Sequence, residues 1–551
     1  MKRMMLLSAL LCSMAAFSQD FNYEGVSYTV IDDAAHTCGV AEGGDGYSVN
    51  FMSGNVVIPE VVYDEYSTDE PVPYTVVKVG KSAFYGNDDL VSIKLPSTVE
   101  GKLGDDAFSL CEKLESVELS ENITEIGKNA FNGCRKLADI KLGDKIVTVG
   151  DAAFGGCSSL QELVFPESVV SLGEAAVYFC SNLKTLILGN NVRQVGAYAF
   201  ADNRSLTTLY LGNNLVEIPE GMLSECTSLE SLIIPETVTR IGVLAFGNCT
   251  SLKALKINEG TTVVEYWAFR NCSALESIEI SNTVESIQYD AFQNCTSLKN
   301  VTVGSGLKYV GEYAFKTCEA LESVNITNLE AWCDITYESN TSNPLFYAHR
   351  LYLNGEELTN LVLPEGFSQV KFSTFIGCES LRTLVIPSHI TEIGQSAFRD
   401  CINLKSLSLE EGLTDIGISA FSGCEALEEI ILPASLQSIG VSGFNFCDNV
   451  QRVVSLNPQP PTIYTGSFSF ETIENAPLYV PDESVALYKG YPWWCDFNIN
   501  PLSILSVEDS MTEAVDDNKT YYNLQGVEVV NPSKGEILIE RKGDSSSKVV
   551  F

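Results

Sequence analysis

One unit recurs along this chain with so little slippage that it dictates the architecture: a Phe, a Cys three residues on, then a Leu-x-x-Ile-x-Leu run. The Phe column reads Phe84, Phe108, Phe131, Phe154, Val177, Phe200, Leu223, Phe246, Phe269, Phe292 and Phe315, with one step of 24 residues and nine of 23. It resumes at Phe375, Phe398, Phe421 and Phe444, again 23 apart, so fifteen rungs are countable. A fixed period of this length belongs to solenoids, in which one unit buries its apolar face only against its neighbours. A chain of 551 residues would otherwise suggest several globular domains, and the repeat overrides that prior.

Each rung has a physical reading. In Leu137-Ala138-Asp139-Ile140-Lys141-Leu142, Ile140 and Leu142 share one face of a short strand, and Asp139 and Lys141 share the other. The first face is core and the second meets water. Aligned strands predict one parallel sheet along the solenoid, with rungs about 4.8 Å apart and a rod on the order of 75 Å long. A turn and a second short extended piece, such as Ile126-Gly127, lead to the Ala-Phe-x-x-Cys corner. The Ala column (Ala130, Ala153, Ala176 and their equivalents) implies close backbone approach. The Gly column also takes Pro219, Glu265 and Gln288, so it needs no left-handed backbone. The Phe column predicts an aromatic stack through the interior.

Period, aromatic, Cys and strand columns together resemble the BspA-like leucine-rich repeats of bacterial surface proteins. The stretch Ile241-Gly242-Val243-Leu244-Ala245-Phe246-Gly247-Asn248-Cys249-Thr250-Ser251-Leu252 carries the likeness, which covers roughly residues 75 to 455. The fold class is therefore a mainly β leucine-rich-repeat solenoid of about 15 rungs. The resemblance implies adhesion to host or neighbouring cells.

Along the chain, residues 1–18 read as a secretory signal, with Lys2 and Arg3 before an apolar run and Ala16-Phe17-Ser18 at the cleavage site. Residues 19–80 alternate apolar and polar positions and predict a β-rich N-terminal cap. Repeats occupy 81–328 and 361–456. Between them, 329–360 is an enlarged rung, where Asn354-Gly355 signals a tight hairpin that is read as packing on the solenoid flank. Residues 457–505 predict a C-terminal cap in which Trp493, Trp494 and Phe497 seal the last rung. Residues 506–519 read as a linker, and 520–551 resemble a shortened sorting or anchoring module of Bacteroidetes secreted proteins. No later segment approaches a membrane span.

Chemistry is sparse. Net charge is −38, from 72 acidic and 34 basic residues, which argues against nucleic acid and anionic membranes. Of 17 cysteines, 13 fall in one repeat column, from Cys111 to Cys447. Each has equivalent neighbours above and below, so the column reads as reduced structural thiols rather than a disulfide framework or a zinc site. Asn87 and Asn203 replace Cys in that column, and Cys38, Cys333 and Cys495 lie off it as better disulfide candidates. No nucleophile elbow, zinc-protease motif, phosphate loop or Cys-x-x-Cys occurs, so no catalytic residue, metal or cofactor is assigned. What remains is surface. The solvent-facing mid-strand position runs Lys141, Val164, Ile187, Tyr210, Ile233, Lys256, an apolar stripe four rungs long. Val164, Ile187, Tyr210 and Ile233 are the candidate contacts for an extracellular protein or glycan. A scaffolding role in the envelope and a carbohydrate-active enzyme are the alternative readings.

Overall fold

The computed structural model describes residues 20–44, 50–65, 70–505, 520–522, 537–542 and 545–550. The signal and linker lie outside them. The chain winds about 18 turns of about 23 residues, and each turn contributes to two parallel ladders. The first is built from the Leu-x-x-Ile-x-Leu runs: Ala254–Ile257, Ser277–Ile280, Asn300–Val303 and Ser323–Ile326 pair residue for residue. The second uses mostly two-residue strands such as Arg240–Ile241, Val263–Val264 and Ser286–Ile287, and takes in the extended piece at Ile126 as the end of the five-residue strand Asn122–Ile126. The turns not counted from sequence lie at the ends, where spacing drifts. Gly54–Val57 pairs with Leu90–Lys94 above the first Phe, and Phe468 stacks beneath Phe444.

One expectation needs correction. The first ladder is several sheets rather than one, because pairing lapses after Asp139–Lys141 and again after Thr208–Tyr210. Strands this short contribute few bonds per rung, and the interior and the corner hold neighbouring turns together where the ladder fails.

The interior is a single column of side chains. Phe84, Phe108, Phe131 and Phe154 stack at 5.2 to 5.4 Å with rings nearly parallel. Val177 and Leu223 interrupt the stack, which resumes from Phe246 to Phe315 and from Phe375 to Phe468. The Ala column is wholly buried beside it.

The corner closes the third side by a device that the sequence columns did not reveal. Residues two before and two after each Phe-column position adopt left-handed backbone, as at Asn129 (φ 51°) and Gly133 (φ 74°) around Phe131. Alternating left-handed and ordinary residues turn three N–H groups the same way along the axis. Asp106, Phe108 and Leu110 donate to the carbonyls of Lys128, Ala130 and Asn132 at 2.7 to 2.8 Å. The corner is thus a third hydrogen-bonded column. The Gly column is not left-handed, as read from its substitutions. Its role is close approach: a Cβ at Gly127 would lie 2.5 Å from the carbonyl oxygen of Leu103.

Each ladder thiol has a partner inside this frame. Cys134 Sγ donates to Phe108 O at 3.0 Å, and the same bond to the preceding turn recurs at Cys157, Cys249, Cys295 and Cys424. Asn203 does the equivalent work with its amide, donating to Val177 O and Phe200 O and accepting from Cys180 N, all at 2.8 Å. Burial pushes the thiols of Cys111, Cys226, Cys272, Cys378 and Cys447 up to about 12. The off-ladder cysteines are not bridged. Cys38 and Cys333 are buried and free, and Cys495 is exposed and free. They belong to the N-terminal strands, the enlarged rung and the C-terminal end, too dispersed to meet.

The enlarged rung keeps both ladders. Thr336–Tyr337 pairs in the second and Leu351–Leu353 in the first, while helix Leu329–Cys333 takes the place of the turn between the ladders and helix Leu345–Ala348 that of the usual corner. Trp332 is buried beneath them and donates its indole N–H to Thr374 O at 3.1 Å. The hairpin turns at Asn354 (φ 53°) and Gly355 (φ 83°), so its first strand is a rung of the sheet rather than a flank attachment.

At the N-terminal end, Asp20–Tyr23, Val26–Asp32 and Thr37–Val40 form an antiparallel run that joins the second ladder through Val72–Val79. At the other end Trp494 and Phe497 pack on Phe468 at 5.6 and 5.3 Å. Only one of the two tryptophans seals this end, because Trp493 is exposed and left-handed (φ 67°). Further along, Thr520–Tyr522, Ile537–Lys542 and Ser545–Val550 form a three-stranded antiparallel sheet.

Candidate functional site

The strands Glu162–Val164, Thr185–Ile187 and Thr208–Tyr210 make one small sheet with a shared register. Their alternation sends Leu163 and Leu186 into the core, so Val164, Ile187 and Tyr210 must stand side by side on the outer face. Val164 is 46 % exposed, Tyr210 43 %, and Ile187 is half-buried between them. Ile233 occupies the next turn, across the lapse in pairing, where only Ser231 bridges onward to Ala254. It is 86 % exposed, a level unusual for Ile in a repeat whose neighbours alternate cleanly. Tyr210 is held by its hydroxyl, which donates to Asn190 Oδ1 at 2.9 Å.

Charge frames the stripe on both sides. On the N-terminal side Lys94 meets Glu118 at 2.6 Å, and on the C-terminal side Lys256 meets Glu279 at 2.8 Å, each pair linking adjacent rungs. Exposed ion pairs of this kind add little stability. Their effect here is to confine the apolar surface to four turns. All four candidate contacts therefore lie in one outward column, three of them in strict register.

A second exposed feature went unread in the sequence because it lies off the strand columns. Tyr266, Trp267, Tyr289 and Tyr313 sit two or three residues before the Phe column and gather at one corner. Trp267 meets Tyr289 edge-on at 6.3 Å, and Tyr289 meets Tyr313 at 6.0 Å. The charge of the adjacent Asp290 carboxylate and burial raise the Tyr289 hydroxyl. Aromatic residues at positions that hold mostly small or charged residues in other turns, such as Asn129 and Ala152 two before the Phe column and Lys128 and Asp151 three before it, were the available signal.

The BspA type leucine rich repeat region matches residues 67–151, 124–242, 216–342 and 349–474. The chain belongs to the BspA-type leucine-rich repeat family. Among solved structures, a leucine-rich repeat protein from Bacteroides ovatus is 26 % identical, with 79 % of this chain and 94 % of that one covered and a TM-score of 0.50. A leucine rich cell surface protein from Faecalibacterium prausnitzii is 24 % identical over 71 % of this chain and 95 % of that one, with a TM-score of 0.38. A leucine-rich repeat protein from T. pallidum is 26 % identical over 42 % of this chain and 91 % of that one, with a TM-score of 0.30. Among curated proteins nothing matches the chain.

BspA-type solenoids are repeat proteins that are typically non-catalytic and act as protein-interaction modules. Among the described residues no group of three or more His, Cys, Asp or Glu side chains is placed to hold a metal ion. No helix among them is long and apolar enough to cross a membrane. A shallow groove of about 410 Å³ is lined by Glu392, Asp415, Ile418, Ser438, Val441 and Tyr464. It lies on the second ladder, away from the stripe.

Proposed function

We propose that this BspA-type chain is an exported, non-enzymatic protein that binds an extracellular protein or glycan, in the manner of an adhesin, through the outer face of its first ladder. The observation that carries this reading is the stripe of Val164, Ile187, Tyr210 and Ile233, presented in one column and bounded by ion-paired lysines and glutamates. Contiguous apolar surface with a polar rim is where partners dock. Residues 1–18 serve as the export signal, and 520–551 serve in sorting or attachment.

The test is capture of matrix proteins and glycans by the full chain and by an Ile187→Ser, Tyr210→Ser, Ile233→Ser variant. All three positions face outward, so folding is retained and capture is lost. Capture that survives the triple substitution rejects the stripe, and a full chain that captures nothing rejects the binding function.

A further inference from the structure

The corner around Trp267, Asp290 and Tyr313 carries side chains that the repeat does not need. The left-handed position before the Phe column suits small or locally hydrogen-bonding residues; Tyr198 and Leu244 occupy it singly elsewhere, and here Trp267 (φ 60°) and Tyr313 (φ 61°) do so around a third aromatic ring, Tyr289. Bulky residues held against backbone preference cluster where they are used. Beneath them, Trp267 Nε1 donates to Asp290 Oδ2 at 3.2 Å. Asp290 is only 4 % exposed, and its other oxygen has no hydrogen-bond partner. Arg270 Nε and Gln293 Oε1, on the same two turns, are also buried and unpartnered. The backbone ties these residues together, since Arg270 N donates to Trp267 O and Gln293 N to Asp290 O. Buried polar atoms are nearly always paired in native proteins. Three open ones beside a set of exposed rings form a deficit that a bound molecule would fill.

We propose that this corner binds a neutral saccharide, with the C–H face of a sugar ring against Tyr266 and Tyr289 and its hydroxyls bonded to Asp290, Gln293 and Arg270. The polar complement selects the class. Two of the open atoms accept and one donates, and a hydroxyl group does both. A proline-rich peptide lacks N–H donors, and the indole N–H that would serve its carbonyls is already spent on Asp290. A cationic ligand would meet Arg270 and Lys316, which already lie over the rings of Trp267 and Tyr313 at 5.8 and 4.4 Å. An anionic one would meet Asp290, Glu312 and a chain of net charge −38. Arg270 and Gln293 are half-buried and carry long side chains with several rotatable bonds, so a rotamer change turns their open groups toward the ligand and uncovers the Asp290 carboxylate. The proposal deepens the extracellular-binding reading by naming a ligand class for a second face, and it stands without the sheet stripe.

The experiment is affinity electrophoresis of the full chain in gels cast with a neutral β-glucan, a xylan, an α-mannan or a galactomannan, followed by tryptophan-fluorescence titration with the matching oligosaccharide. Retardation is expected in at least one gel. Tyr289→Ala and Asp290→Asn each weaken it at least tenfold, and Tyr178→Ala, on an exposed corner outside both faces, leaves it unchanged. Tyr289 is exposed, so its variant keeps the parent unfolding midpoint even if changes at Asp290 disturb folding. Absence of retardation in every gel overturns the proposal, as does retardation that survives Tyr289→Ala or binding of a proline-rich peptide instead. An Asp290→Asn chain that gains stability while the parent binds no saccharide identifies a structural water site. Loss of saccharide binding with protein capture intact sinks this proposal alone, and the reverse sinks only the stripe.

Discussion

The buried thiol column makes the fold sensitive to mild alkali. In the unfolded chain a thiol titrates at its ordinary value of 9.0, whereas burial holds Cys111, Cys226, Cys272, Cys378 and Cys447 protonated up to about 12. The folded value is the higher one, so the stabilisation is complete below pH 9 and is lost as pH rises toward 12. At pH 10 each such thiol costs the folded state on the order of 1 kcal/mol relative to neutral pH. The five together cost several kcal/mol, and Cys134, Cys157, Cys249, Cys295 and Cys424, raised further by burial and by their neighbours in the column, act in the same direction. That loss rivals the whole stability of an ordinary domain. The assay is urea denaturation followed by circular dichroism at pH 7.5, 9 and 10 under reductant; buried tyrosines such as Tyr28 and Tyr488, also raised by burial, begin to titrate over the same range, so only the difference between parent and variant is read. A Cys111→Ser, Cys272→Ser, Cys447→Ser variant keeps a donor for each Phe carbonyl but has nothing to ionise. It should lose a few kcal/mol less between pH 7.5 and 10 than the parent. Equal pH dependence in the two chains would refute the assignment of alkaline sensitivity to this column.

Two further outcomes follow from the packing. Phe269→Ala removes a ring held between Phe246 and Phe292 and should cost about 3 to 5 kcal/mol in a denaturant titration, whereas Tyr178→Ala on the exposed corner should cost within about 0.5. Trp494→Ala should lower the unfolding midpoint and increase binding of an apolar dye at the uncovered end, while Trp493→Ala leaves both unchanged.

Much of the fold was legible because each column repeats one physical demand fifteen times. Ile140 and Leu142 alternate with Asp139 and Lys141 on the same period as their counterparts, so a strand with one wet face was the sole consistent reading. The Phe stack and the thiol column followed from the same argument. The left-handed corner did not, because the positions around each Phe accept Asn129, Ala152, Leu244 and Trp267 alike, and no single residue type marks them. The lapse between Tyr210 and Ile233 was equally hidden, since both runs carry the same sequence pattern although only the first forms a strand. Of the surface, the stripe was readable because it runs along strands. The aromatic corner was missed because its residues come from two adjacent columns, and only the turn brings Trp267 beside Asp290 one turn below.

The aligned peptides of the corner give the rod an electrical polarity. Outside the enlarged rung the third-side N–H groups point toward the C-terminal end and the facing carbonyls toward the N-terminal end, so within each run of regular turns the peptide dipoles add, with the positive pole at the opposite end from that of an α-helix. The two termini therefore face complementary tasks. The N-terminal strands must supply donors, as Gly43 N does for Lys81 O at 2.7 Å and Asn50 Nδ2 for Ala83 O at 2.9 Å. The C-terminal segment must supply acceptors, as Ser467 O does for Phe444 N at 2.7 Å. Exchanging the two end pieces would leave donors confronting donors, so a rod of this kind can be lengthened by inserting whole turns but not by reversing its ends.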